Sequence, residues 1–149
     1  MKKFFLTLMA LIALMVASPA ANATDWFDVR SEGGETLALN PDITTSESGK
    51  SFLVWVRNSF DLPESRAIYT HERGYDKTVA YKITLYKFTD NWSKFNIVQV
   101  AVYDEDGNLV DQYANPDMAS TESLIPAGSP IETIAEAAKV IYEIKTNPE

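Results

Sequence analysis

Val79-Ala80-Tyr81-Lys82-Ile83-Thr84-Leu85-Tyr86-Lys87-Phe88 is the stretch on which the fold turns. Val79, Tyr81, Ile83 and Leu85 alternate against Ala80, Lys82, Thr84 and Tyr86, and Phe88 extends the second set. Alternation at period two marks a strand whose two faces meet different surroundings. Across Asp90-Asn91-Trp92-Ser93 lies a second such run, Phe95 to Tyr103, and beyond it a third, Leu109 to Tyr113. The loop Asp104-Glu105-Asp106-Gly107-Asn108 has the aspartate-rich start and late glycine of a type I turn with a bulge. Its flanking runs therefore pair as a hairpin. Residues 79 to 113 read as consecutive antiparallel neighbours.

Upstream, Ser51-Phe52-Leu53-Val54-Trp55-Val56-Arg57 is apolar on both parities, as in a central strand covered at least partly on both sides. Thr36 to Leu39 is a short strand, preceded by the turn Ser31-Glu32-Gly33-Gly34-Glu35, and Thr24 to Arg30 is an opening strand of uneven pattern. Downstream, Ser129, Pro130 and Glu132 form a helix start with a capping box. Ile131, Ile134, Ala135, Ala138, Ile141 and Tyr142 then recur at spacings of three and four. That stripe has to pack on the sheet or on a partner, and strands 79 to 102 are its expected floor.

Two readings stand for residues 58 to 77. Asp61-Leu62-Pro63-Glu64 resembles a helix start and Arg73-Gly74 a stop, which makes Ser65 to Glu72 two helical turns with Ile68 inward. The alternative is a loop carrying Phe60, Tyr69, His71 and Tyr75.

The amino terminus has the form of a secretory signal. Lys2 and Lys3 precede an apolar core from Phe4 to Ala17, and Ala21-Asn22-Ala23 supplies a small-x-small cleavage site. Residues 1–23 are expected to be removed, leaving 24–149 as one periplasmic or secreted domain without an integral membrane segment. The 149-residue chain has 13 basic and 21 acidic residues, and loss of Lys2 and Lys3 moves the net charge from -8 to -10. No basic stripe is present to neutralise phosphates, which argues against a nucleic-acid partner. With no cysteine, the chain has no disulfide, thiolate nucleophile or lipidated cysteine.

Catalytic constellations are sparse. Gly49-Lys50-Ser51 matches the tail of a phosphate-binding loop, but Thr44 stands where its first glycine belongs. His71 is the single histidine, too few for a catalytic zinc site or a Ser-His-Asp relay. Asp104, Asp106 and Asp111 offer hard oxygens, yet the offsets of a calcium loop are missing and a hairpin turn explains them. The expectation is a protein that is not an enzyme and needs neither cofactor nor metal. Trp55, Tyr81, Phe88 and Phe95 read as core. Tyr69 and Tyr75 in the linker and Trp92 in a polar turn are the candidate partner-binding residues, against the alternative of folding back over a core edge.

The order of features resembles the surface-adhesin E family of small exported bacterial proteins, which includes an adhesin for host extracellular-matrix and serum proteins. The resemblance rests on Trp26, on Leu53-Val54-Trp55-Val56-Arg57, on Tyr81 to Phe88, on Val100-Ala101-Val102-Tyr103-Asp104-Glu105-Asp106-Gly107, and on Ile125-Pro126-Ala127-Gly128-Ser129 before a short helix. It implies an α+β fold: an antiparallel sheet of about six strands with the C-terminal helix packed on one face. It also implies adhesion to a protein partner, with a homodimer among the forms it allows. Cysteines that family members often carry after the strand ending near Phe88 and in the last helix are replaced here by Asp90 or a neighbour and by Ala138. Three functions are therefore expected in order: an adhesin-like protein-binding module, an envelope accessory protein, and a carrier for a small ligand.

Overall fold

The computed structural model describes residues 25–114 and 122–147; residues 1–23, read from the sequence as a signal segment, lie outside the described residues. Strands β1 (Phe27–Glu32), β2 (Glu35–Leu39), β3 (Thr44–Thr45) and β4 (Phe52–Phe60) lead into helix α1 (Pro63–Arg73). Then follow β5 (Val79–Thr89), β6 (Lys94–Asp104), β7 (Leu109–Ala114), β8 (Ser123–Leu124) and helix α2 (Pro130–Thr146). The fold is α+β, a curled antiparallel sheet in the order β1-β2-β4-β5-β6-β7, to which the two-residue strands β3 and β8 add on β4 and β6.

The turns explain the order. Gly33 and Gly34 both have positive φ, the requirement of a two-residue hairpin whose twist matches its strands. The uneven pattern of β1 is a bulge between Asp28 and Arg30. At the β6–β7 hairpin, Asp104 Oδ1 accepts from the amides of Asp106 and Asn108, at 3.0 and 2.8 Å. Gly107 sits at φ +81°. That carboxylate is thus engaged by its own turn.

Both helices pack on one face of the sheet. Over β2 and β4, α2 places Ile134, Ala135 and Ala138 against Leu39, Phe52, Val54, Val56, Phe88 and Trp92, flanked by Ile131, Ile141 and Tyr142. The apolar stripe read from the sequence is the buried stripe. Its floor is wider than expected: Phe88, Tyr86 and Phe95 come from the strands 79 to 102, but β2 and β4 add Leu37, Leu39, Phe52, Val54 and Val56, with β1 alongside. Parity fixed the face of each strand but not the strand the helix crosses. At the helix start, Ser129 Oγ accepts from the Glu132 amide at 3.3 Å. Glu132 Oε1 in turn accepts from the amide of Gly128, one residue earlier than a standard capping box requires.

Phe60, Val79, Val100 and Val102 form a second core under α1. On the opposite face, Ile83, Ala101 and Tyr103 are buried beneath Trp26, Trp55 and Tyr81. The Tyr81 and Tyr103 rings stack at 5.0 Å, and burial raises the pKa of both phenols.

Candidate functional site

Residues 63 to 73 are helical, so the loop reading of this stretch gives way to the helix. Pro63 occupies the first turn, Ser65 Oγ accepts from the Leu62 amide at 3.2 Å, and Gly74 at φ +70° closes the end. Ile68 does not face inward. It is 58% exposed, because Ser65, Arg66, Tyr69 and Thr70 make the stripe that meets the sheet. No residue of α1 is fully buried, and polar bonds fasten it. Arg66 Nε donates to the Phe60 carbonyl at 2.7 Å, and its Nη1 meets Glu105 at 2.9 Å. The Thr70 hydroxyl donates to Arg66 O and accepts from the Val79 amide.

This geometry puts Tyr69 on the sheet. Its ring stacks on Phe60 at 4.5 Å and lies 6.5 Å from the ring of Tyr75. The Tyr75 hydroxyl donates to Asp111 Oδ2 of β7 at 2.8 Å. Tyr113, two residues along β7 and 39% exposed, lies close enough to act electrostatically on Tyr69, Tyr75 and Tyr86. Two of the three sequence-predicted contact residues are therefore brought together, with Tyr113 beside them.

Two cations share the Tyr69 ring. Arg73 Cζ lies 5.6 Å from its centroid and Lys82 Nζ 5.3 Å from it. Such contacts gain strength from partial desolvation. Among the described residues neither cation has a carboxylate within 4.0 Å, and Glu35 acts on Lys82 from further away. Burial, and next the Arg73 guanidinium, lower the Lys82 pKa from 10.5. Beside Lys82 in register, Asn58 has a buried Oδ1 with no hydrogen-bond partner. Burial raises the Tyr69 pKa above 10.0, and Arg73 opposes it. The Tyr75 pKa is raised by burial first and then by the hydrogen bond to Asp111.

Trp92 is elsewhere and is not offered to solvent. It is 8% exposed, stacked on Phe52 at 4.2 Å and tilted against Phe88 at 5.4 Å. As a surface anchor it is corrected to a core residue that folds back beneath the turn. Asp90, Asn91 and Trp92 all have positive φ, three consecutive non-glycine residues in a conformation costing about 1–2 kcal/mol each. Burial of the indole offsets that strain. His71 is exposed on α1, and its carbonyl accepts from the Gly74 amide.

Lys82, Arg73, Asp111 and Tyr113 were not singled out as contact residues from sequence. One signal existed: Lys82 shares its parity with Tyr86 and Phe88, so it had to point into the helix-bearing face. Among the described residues no cluster of three metal-ligating side chains occurs, and no helix is long and apolar enough to cross a membrane. No family profile, curated protein or solved structure shows a significant match to this chain.

Proposed function

We propose that this chain is an exported, non-enzymatic protein-binding module, adhesin-like in its manner of contact, that uses the tyrosine–cation patch of α1, β5 and β7. The observation that carries this reading is the pairing of Arg73 and Lys82 over Tyr69 without a close carboxylate, beside Tyr75 and Tyr113. Tyrosine and arginine are the residues that interface centres favour, since they bury large area with few rotatable bonds. Two unneutralised cations select a partner that presents carboxylates at this spot. The chain as a whole has a net charge of -8, so an acidic partner is repelled elsewhere and the patch fixes its orientation.

The export half of the reading rests on the Lys2-Lys3, Phe4 to Ala17 and Ala21-Asn22-Ala23 pattern. Fractionation of the producing cells, with a photo-crosslinking side chain in place of Tyr113, tests both halves together. The expected result is a saturable protein adduct outside the cytoplasm that disappears in Arg73→Glu. An adduct insensitive to Arg73→Glu, or none at any position on β7, removes the patch from consideration.

A further inference from the structure

At the other end of the sheet from α1, the turn Asp90 to Ser93 borders an open groove of about 700 Å³. Lysines from three separate elements line it. Lys50 comes from the turn between β3 and β4, Lys87 from β5, and Lys94 from the start of β6. In a chain with 21 acidic and 13 basic residues, such a convergence runs against the average composition. Lys94 is partly neutralised by Asp90 at 3.8 Å. Lys50 and Lys87 have no carboxylate within 4.0 Å among the described residues.

Thr89 adds a hydroxyl. Its register partner is Lys94, it lines the same groove, and its hydroxyl is buried without a hydrogen-bond partner. A buried hydroxyl of this kind costs free energy until an acceptor arrives. Two unpaired ammonium groups and one hydroxyl short of an acceptor match a doubly charged tetrahedral oxyanion better than a single carboxylate. The groove is larger than such an ion alone needs, so the anion is one end of a longer molecule. Glu122, which also lines the groove, disfavours a second negative group there.

We propose that this groove binds a phosphorylated small molecule through its phosphate group, held by Lys50, Lys87 and Thr89. The recognition is by converging side chains. It owes nothing to the backbone cradle of a phosphate-binding loop, which Gly49-Lys50-Ser51 cannot form, because the following residues enter a strand and no helix N-terminus is present. The site is independent of the tyrosine–cation patch and of the proposed partner.

Titration of the isotope-labelled protein with inorganic pyrophosphate, followed by backbone amide shifts, tests the assignment. Saturable shifts are expected at Lys50, Lys87 and Thr89, with millimolar affinity that falls on adding salt. Lys50→Ala combined with Lys87→Ala should weaken binding on the order of tenfold, and Thr89→Val less, with all variants keeping the native amide pattern elsewhere. Vesicles containing phosphatidic acid form a second arm. Binding to vesicles without saturable pyrophosphate shifts overturns the proposal in favour of a membrane surface. Pyrophosphate shifts that survive the double lysine substitution overturn it as well.

Discussion

Two helices share one face of one sheet and are held there by different means. Helix α2 lies on a dry floor: Ile134 is 1% exposed and shares a buried cluster with Leu39, Val54, Phe88 and Trp92. Helix α1 has no fully buried residue and is pinned through Ser65, Arg66 and Thr70, with Tyr69 as its one aromatic contact on Phe60. Aliphatic burial is non-directional and resists local change, whereas polar fastening leaves charges and hydroxyls near solvent where a partner can reach them. The dry end therefore carries stability, and the wet end is where the proposed recognition would sit. The same sheet supports both because its helix-side face changes character along the strands, from Val54 and Val56 to Asn58 on β4 and from Phe88 to Lys82 on β5.

The sharpest test is the relative cost of truncating each end. Ile134→Ala should cost about 2–5 kcal/mol in urea titration, because transfer free energy is lost and a cavity remains among closely packed neighbours. Tyr69→Ala should cost about 1–2 kcal/mol, since the residue is only partly buried and Phe60 loses one stacked partner. Equal losses at the two ends would erase the distinction. Ser129→Ala comes next at about 1 kcal/mol, because water reaches the exposed first turn and partly replaces the hydroxyl at the Glu132 amide. A serine loss exceeding the isoleucine loss would mean that capping rather than burial holds α2.

What the sequence made legible follows from which interactions are local. The hairpins over residues 79 to 113 and the stripe on α2 depend on spacing along the chain, and spacing is written in the residues themselves. The helix at 63 to 73 was readable in its Pro63 and Gly74 boundaries, but its inward face was not. Ile68 is the more apolar choice, yet Tyr69 takes the inward place because Phe60 waits beneath it. Trp92 sits in a polar turn and gave no sign of the Phe52 ring, which is distant along the chain. In the candidate site, Tyr69 and Tyr75 could be selected from composition alone. Their convergence with Lys82 of β5 and Asp111 of β7 needed the register of strands that no local pattern encodes.

The smallest effect at neutral pH belongs to Asp111→Asn, which probes the wet end by its titration. Asp111 accepts the Tyr75 hydroxyl at 2.8 Å, and an asparagine oxygen still accepts it, so the loss near pH 7 should stay under about 1 kcal/mol. In alkali the outcome differs. The folded state holds the Tyr75 proton to higher pH than the unfolded chain, whose phenol ionises near 10.0, so this contribution is intact below that pH and is lost as pH rises through the folded value. Lys82 acts in the opposite sense. Its folded pKa lies below 10.5, the unfolded chain binds more protons in that interval, and stability rises with pH as its buried amine loses its charge. Asp111→Asn removes the bonding carboxylate charge but leaves burial in place, so the Tyr75 pKa should fall toward 10.0 without reaching it. Tyrosinate absorbance against pH measures this directly, with Tyr75→Phe subtracted to isolate the phenol. Should the Tyr75 titration be unmoved in Asp111→Asn, the Tyr75–Asp111 bond does not hold in solution, and β7 is not fastened to the segment that follows α1.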